Sequence, residues 1–211
     1  MDGNRVRVWA GMFLLVSLAG GCVGIPTQLM WVLYGQKVAA EFNGLEGKTV
    51  AVVCVSDASA YGPTNLTYTV ERQISERLKT NVKKVVVIPQ TKVNDWKDNN
   101  AWNEENFYQL GKGVEADVVL AIEVSNYSLY DGQTMYKGRA TVASTVYDME
   151  KGDVVFRRGP EEYTFPKSGR PSIQNNDRQF EEYYLTKLCE HLARRFYEFD
   201  KKEMFAEDAG G

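Results

Sequence analysis

The chain has few of the side chains from which active sites and metal centres are usually built. Its 211 residues include one histidine, His191, and three cysteines, Cys22, Cys54 and Cys189. This supply excludes a histidine-rich metal site, a zinc ribbon and a disulfide scaffold. A catalytic His191 would need an orienting partner and a nucleophile within reach, and the sequence has no Gly-x-Ser-x-Gly motif. The sequence therefore predicts no catalytic residue, no cofactor and no metal ion, and it favours a structural role for His191.

Two cysteines fall in apolar stretches of the sequence. Cys54 lies in a valine-rich run, and Cys189 follows Leu188 in an amphipathic stripe near the C-terminus. Free cysteines behave as small apolar residues, so two buried thiols are the favoured interpretation. Export to an oxidising compartment would permit a disulfide between them, and that alternative stays open.

Two polar segments are candidate ligand sites. Asp95, Asp98 and Glu104–Glu105 are close in sequence but lack the oxygen spacing and the glycine turn of a calcium loop, which favours a solvated loop. The segment Ser56–Asn65 follows an apolar run, and ligands of open α/β sheets gather beyond the carboxyl ends of strands. It has no glycine-rich phosphate motif, so a plain loop over the sheet end is favoured, with ligand binding as the alternative.

Four aromatic side chains form the candidate interaction surface. Trp96, Trp102, Tyr127 and Tyr130 fall in polar segments or beside predicted turns. Aromatic residues are enriched at the centres of protein interfaces. They also fill the cores of small domains, so a packing role for the same four residues is the alternative.

The first residues have the pattern of an export signal. Arg5 and Arg7 precede an apolar run from Val8 to Leu18, and Ala19-Gly-Gly leads to Cys22. The end of this segment resembles the lipobox of bacterial lipoproteins. That resemblance implies cleavage before Cys22 and attachment of acyl chains such as palmitate to it. The alternatives are a plain secretory signal or an uncleaved anchor, although the apolar run is shorter than the roughly 20 residues of a spanning helix.

Composition is that of one folded domain with appendages. Hydrophobic residues make up 44% and charged residues 25%, and the net charge is −3, which excludes wholesale disorder and a strongly basic nucleic-acid binder. The segment before Lys48 is predicted to lie at the lipid–water boundary or, equally, to pack on the domain. The predicted divisions are 1–21 as a lipoprotein signal peptide, 22–47 as a lipidated membrane-proximal lead with a short helix, 48–200 as a globular α/β domain and 201–211 as a disordered tail.

Continuous apolar runs predict strands that are buried on both faces, as in a parallel sheet. The runs are Lys48–Val55, Lys84–Pro89 and Ala116–Val124. Helical spacing in Asn65–Thr80 joins the first two runs, and a short helix at Glu104–Val114 precedes the third. This half of the domain is therefore predicted to be a right-handed βαβαβ unit.

After Val124 the pattern changes to alternation. The pairs Asp131-Gly132 and Lys151-Gly152 are typical of hairpin turns, and Glu161–Pro166 is predicted to add an edge strand. The predicted fold class is α/β in the mixed α+β sense. Its single mixed sheet has the order 2-1-3-4-5, counted from Lys48, with a parallel half and an antiparallel meander, and helices cover it.

The segment Arg178–Asp200 has the clearest amphipathic pattern in the chain. Its apolar stripe runs for about five turns and includes Leu188 and Leu192. We expect this helix to pack across the sheet as core, with those two leucines central. The alternative is an exposed stripe that binds a partner helix.

The order of elements and three short motifs resemble a group of periplasmic domains. Residues 48–53 read Lys-Thr-Val-Ala-Val-Val, residues 110–122 read Leu-Gly-Lys-Gly-Val-Glu-Ala-Asp-Val-Val-Leu-Ala-Ile, and residues 146–155 read Val-Tyr-Asp-Met-Glu-Lys-Gly-Asp-Val-Val. They resemble the domain of the curli-channel lipoprotein, the penicillin-binding-protein activator lipoproteins and the amino-terminal domain of TolB. Residues 36–42 also resemble uncharacterised envelope lipoproteins of planctomycetes. The glycine expected after the third strand is Glu123 in this chain.

The resemblance implies a function without catalysis. The expected protein is anchored by lipid in the bacterial cell envelope and faces the periplasm, with the outer membrane preferred over the inner. Its expected partners are that membrane and an envelope protein or further copies of itself, and not nucleic acid. The alternatives are a subunit of an oligomeric secretion channel and an envelope hydrolase, for which the sequence shows no acid–base pair.

Overall fold

The computed structural model describes residues 37–57, 65–103, 106–132, 135–167 and 177–202. Cys22, most of the loop after residue 57, Glu104–Glu105 and the tail from residue 203 lie outside these ranges. What the sequence predicts for them stays a prediction.

Five strands form one mixed sheet in the order β3-β2-β4-β5-β6. The strand β2 pairs in parallel with β3 and β4, and the pairs β4–β5 and β5–β6 are antiparallel. The order 2-1-3-4-5 and the mixed fold class predicted from the sequence are confirmed. The strands are β2 (Thr49–Ser56), β3 (Val86–Val87), β4 (Val118–Asp131), β5 (Met135–Asp148) and β6 (Asp153–Phe165).

Helices cover both faces of the sheet. The core on one face joins the sheet to α1 and α4, and the core on the other face joins it to α2 and α3. Alternate side chains of β2 divide between them: Val50 and Val52 belong to the first core, Ala51 and Val53 to the second. This two-sided burial is the reason for the unbroken apolar run. The helices are α1 (Asn65–Asn81), α2 (Gln90–Asn99), α3 (Phe107–Gly113) and α4 (Asp177–Ala193).

The last helix packs as core, as its stripe predicts. Phe180, Tyr184, Leu188 and Leu192 are fully buried against the sheet and α1. The predicted end at Asp200 is wrong, because α4 ends at Ala193. A 3₁₀ turn (Arg194–Phe196) and the short strand β7 (Phe199–Asp200) follow it.

Both core cysteines are free thiols in the structure. Cys54 and Cys189 are buried, and burial raises the pKa of the Cys189 thiol to about 12. The buried-thiol interpretation therefore agrees with the structure, and the disulfide alternative does not.

The predicted edge strand at Glu161–Pro166 is not separate, because it is the second half of β6. Val142 of β5 pairs with Glu161 and Ser144 pairs with Arg158, so β6 carries one extra residue as a bulge. Gly159 lies in this bulge at φ +93°, where a Cβ atom would come within 2.5 Å of the Val142 carbonyl oxygen. Only glycine fits there.

A second correction concerns Asp95 and Asp98, for which the sequence favours a solvated loop. Both lie on the helix α2. Only Val93 of this helix is buried among its ten residues, so the apolar periodicity that marks a helix in the sequence is missing.

The segment 37–47, called the lead segment below, packs on the domain. Its strand β1 (Lys37–Val38) pairs antiparallel with β7 in a separate two-stranded sheet. The backbone N–H of Phe42 donates to the Arg195 carbonyl at 3.0 Å, and Leu45 is fully buried. Within the described ranges, each helix is too short or too polar to cross a bilayer.

Candidate functional site

Two of the predicted interaction residues lie in the layer of α2 and α3. Trp96 and Trp102, called the tryptophan patch below, pack against the second core and remain partly exposed. The Lys97 ammonium lies 5.2 Å from the centre of the Trp102 ring. Trp96 lies over Gly113 of α3, where a Cβ atom would come within 2.0 Å of its indole nitrogen. Trp96 is thus held on α2, and Trp102, in the connection after it, packs with its ring 5.5 Å from that of Phe107.

The other two predicted residues lie on β4, away from the tryptophan patch. Tyr127 packs against the first core, with its ring 5.9 Å from that of Tyr184. Its hydroxyl donates to Glu181 Oε1 at 3.1 Å. Burial, followed by the charge of Glu181, raises the pKa of Tyr127. Tyr127 therefore contributes to packing, and the structure does not bring the four aromatic residues into one cluster.

Tyr130 belongs to the end of the β4–β5 hairpin. Residues 130–132 and 135–136 are called the hairpin tip below. Tyr130 and Met135 are among the few large apolar side chains that the described part of the domain exposes, at 36% and 45%. The Tyr130 ring lies 5.4 Å from that of Tyr136, which lies 5.0 Å from Phe180 of α4. The hairpin tip is thus packed against α4 through the rings of Tyr136 and Phe180.

A charged cluster that the sequence analysis missed surrounds Glu161 on β6. The carboxylate of Glu161 accepts from Arg195 and lies 3.3 Å from Arg158 Nε and 2.8 Å from His191 Nε2. Arg195 also donates to the hydroxyl of Ser144 on β5 at 2.9 Å. We call Ser144, Arg158, Glu161, His191 and Arg195 the Glu161 cluster. It joins β5, β6 and the end of α4.

The electrostatics of this cluster favour an ionised carboxylate and a neutral imidazole. Burial alone would raise the pKa of Glu161, but the bond to His191 and the charge of Arg195 outweigh it and lower that pKa. Burial lowers the pKa of His191, and the neighbouring Arg195 charge lowers it further, against the opposing effect of Glu161. Because an ionised carboxylate only accepts, Nε2 of His191 is the donating nitrogen. A proton added to His191 would place a second cation beside Arg195.

Four members of the cluster, Arg158, Glu161, His191 and Arg195, line a cavity of about 450 Å³ between β6, the end of α4 and the lead segment. The cavity wall includes the apolar side chains of Val38, Phe165 and Phe199. Among the described residues that line it, neither a serine nor a cysteine occurs. The His191–Glu161 pair is thus a possible acid–base pair, but the described cavity wall offers it no serine or cysteine nucleophile.

A shallower cavity of about 370 Å³ lies at the carboxyl end of β2, beside the middle of β4. Ser56, Asp57 and Glu123 line it, and Asp57 Oδ2 accepts from the backbone N–H of Asn126 at 3.0 Å. This is the edge at which the sequence left ligand binding open. The rest of the predicted loop, residues 58–64, lies outside the described residues, so this alternative stays a prediction.

A second buried carboxylate, Glu71 of α1, is also absent from the sequence-based predictions. Its side chain is 3% exposed and accepts from the Cys54 backbone N–H at 2.9 Å, from Lys97 Nζ at 3.0 Å and from Gln90. The bonds tie α1, β2 and α2 together. The one signal in the sequence was its place beside Val70 on the apolar side of α1, where a carboxylate must find partners.

No protein-family model matches the chain, and no curated protein matches it. The chain is similar to the PelC dodecamer subunit from Paraburkholderia phytofirmans, with 13% identity and a TM-score of 0.45 over 77% of this chain and 97% of that one. It is similar to lipoprotein GNA1162 from Neisseria meningitidis, with 16% identity and a TM-score of 0.45 over 69% and 97%. A minor lipoprotein from Acinetobacter baumannii gives 14% and 0.37 over 71% and 91%. The similar structures include bacterial lipoproteins, and none of these remote likenesses assigns a function to the chain.

Proposed function

We propose that the chain is a non-catalytic, lipid-anchored protein of the bacterial cell envelope that faces the periplasm and acts as a protein-interaction or assembly domain. The observation that carries the proposal is the way the export signal joins the folded domain. The signal ends at Ala19-Gly-Gly before Cys22, and the chain is fixed from Lys37 onward by its pairing with β7. A lipidated Cys22 would hold the domain at a membrane on a short tether.

The polar clusters support the non-catalytic part of the proposal. Glu71 and Glu161 are held by cationic and amide groups of neighbouring elements. Each carboxylate thus links three elements of the fold, which is the arrangement of a structural network.

The tryptophan patch is the proposed contact surface for the protein partner. Trp96 and Trp102 each present a partly exposed indole on a packed support. Rigid aromatic side chains give large contact area at low entropic cost, and tryptophan is enriched among the residues that dominate interface energies. Lys97 beside Trp102 adds a positive charge to the edge of the patch.

Metabolic labelling tests the anchor. Cells that express wild-type protein or the Cys22→Ser variant are fed a clickable fatty acid, and the label on the protein is compared. We expect label on the wild type and on a Cys54→Ala control, whose changed thiol is buried, but none on Cys22→Ser. Equal labelling of wild type and Cys22→Ser would contradict the anchor.

Position-specific crosslinking tests the interaction surface. A photoreactive amino acid at Trp102 is compared with one at Tyr68, which is 51% exposed on α1 at the opposite face of the sheet. We expect discrete protein adducts from position 102 in intact cells and none from position 68. No adducts from position 102, or the same adducts from position 68, would contradict this surface and leave the anchor unaffected.

A further inference from the structure

The lead segment runs along β6 in a definite direction. The ring of Phe42 lies 5.3 Å from that of Phe156, and the carboxylate of Glu41 lies 3.7 Å from Arg158 Nε. As the lead segment is followed toward the N-terminus, its contacts therefore move toward the C-terminal end of β6.

The next contacts continue in the same direction. Val38 lines the same cavity as Phe165, the last residue of β6. Phe165 pairs with Gly138 of β5, and Met135 at the hairpin tip lies three residues from Gly138, which is about 10 Å along a strand. The chain that leads back to Cys22 thus leaves the domain at the end that carries the hairpin tip.

The side chains of the hairpin tip suit a lipid headgroup layer. Tyrosine is enriched at the lipid–water boundary because its ring is apolar and its hydroxyl is polar, and Tyr130 is exposed beside Met135. Lys137 and Arg139 flank the single carboxylate of Asp131 at 3.5 and 2.9 Å. Two cations against one anion leave a positive charge, which an anionic lipid surface attracts.

We infer that the hairpin tip is the membrane-facing surface of the domain, with Tyr130 and Met135 in contact with the headgroups of the membrane that holds Cys22. The inference rests on the lipid anchor proposed above. Fifteen peptide units separate Cys22 from Lys37, a span of at most roughly 50 Å when fully extended. The anchor therefore lies on the side of the domain from which the chain leaves at Lys37, and the tryptophan patch is left for a protein partner.

Fluorescence on the full-length lipidated protein tests the inference. Met135→Cys carries a polarity-sensitive thiol label, and the protein is reconstituted in vesicles of phosphatidylethanolamine and phosphatidylglycerol. Val86→Cys is the matched control, because Val86 is 60% exposed and pairs with Thr49 at the opposite end of the sheet. Cys54 and Cys189 are buried, so the label is confined to the introduced thiol.

The expected result is a blue-shifted emission at position 135, quenched by spin-labelled lipid, with aqueous and unquenched emission at position 86. Flotation of the vesicles reports the anchor separately. If the protein floats but the two labels behave alike, the inference about the hairpin tip is overturned and the anchor stands. If the full-length protein from cells does not float, the anchor is overturned and this inference falls with it.

Discussion

The Glu161→Gln substitution isolates the role of the Glu161 cluster with almost no change in side-chain volume. In the wild type the carboxylate accepts from Arg195 and His191, and Arg195 is only 3% exposed. The amide keeps a carbonyl oxygen for one of these bonds but removes the negative charge. Arg195 is then a buried cation that has lost this carboxylate and keeps neutral partners such as the Ser144 hydroxyl and the His191 ring.

The expected loss of unfolding free energy follows from the burial of Glu161 and Arg195. Removing one partner of a fully buried ion pair costs about 3–5 kcal/mol. Glu161 is not fully buried, because 28% of its side chain is exposed, and water screens part of the interaction. We therefore expect a loss of about 2–3 kcal/mol in the free energy of unfolding, or about 5–10 °C in Tm for a domain of this size.

Thermal and urea unfolding measure this loss on protein that lacks the predicted signal peptide, residues 1–21. Glu162→Gln is the control, because it is the same substitution at the next position, where the side chain is exposed and accepts a hydrogen bond from Thr164. It should change the free energy of unfolding by less than about 0.5 kcal/mol. Equal losses in the two variants, or a loss below about 1 kcal/mol in Glu161→Gln, would refute the reasoning from burial.

Leu188→Ala should cost about 2–5 kcal/mol of unfolding free energy, because Leu188 is fully buried; an unchanged Tm together with loss of a partner would make α4 an interface. Cys54 and Cys189 should resist an aromatic disulfide reagent in the native protein and both react in urea; a denatured chain without free thiols would show a disulfide instead. Acidification from about pH 7 to about pH 5 should lower the urea midpoint. The folded-state pKa values of Glu161 and His191 are both lowered, so the unfolded state takes up protons first, and stability falls from the unfolded histidine pKa of about 6.5 downward. A midpoint that rises on acidification would contradict this sign.

The sheet could be predicted because each strand leaves a local signal. Continuous runs such as Lys48–Val55 need burial on both faces, and this requirement favours an interior strand with parallel neighbours, as β2 is. The alternation after Val124 and the Asp131-Gly132 pair predict the antiparallel half. The stripe through Leu188 and Leu192 has the helical period. The antiparallel strands have one face to cover, and this predicts that the stripe packs against them.

The features that the sequence did not predict leave a weak local signal in the sequence or none. α2 buries only Val93, and the β1–β7 pair joins two-residue strands about 160 positions apart. The Glu161 cluster has the same difficulty. His191 and Arg195 are four residues apart on one helical face, but Ser144 and Glu161 reach them only through the pairing of β5 with β6. No sequence motif indicates that these four residues come together.

The edges of the sheet bear on how this domain could assemble. An unpaired edge strand invites another chain to add a strand, and natural proteins prevent this with charges, bulges, proline and short edge strands. On β6, Arg157 and Arg158 are followed by the Gly159–Pro160 bulge and then by two glutamates. Pro160 has no N–H to donate. At the other edge, β3 has two residues.

Both edges are thus poorly suited to strand addition. A partner or a second copy would have to meet the domain through side chains on a face or at an end. This directs attention to the tryptophan patch, where Trp96 and Trp102 lie on packed supports. The hairpin tip is another exposed apolar surface, and our inference assigns it to the membrane. On this view the domain separates its two contacts, with lipid at one end and protein on the α2–α3 layer.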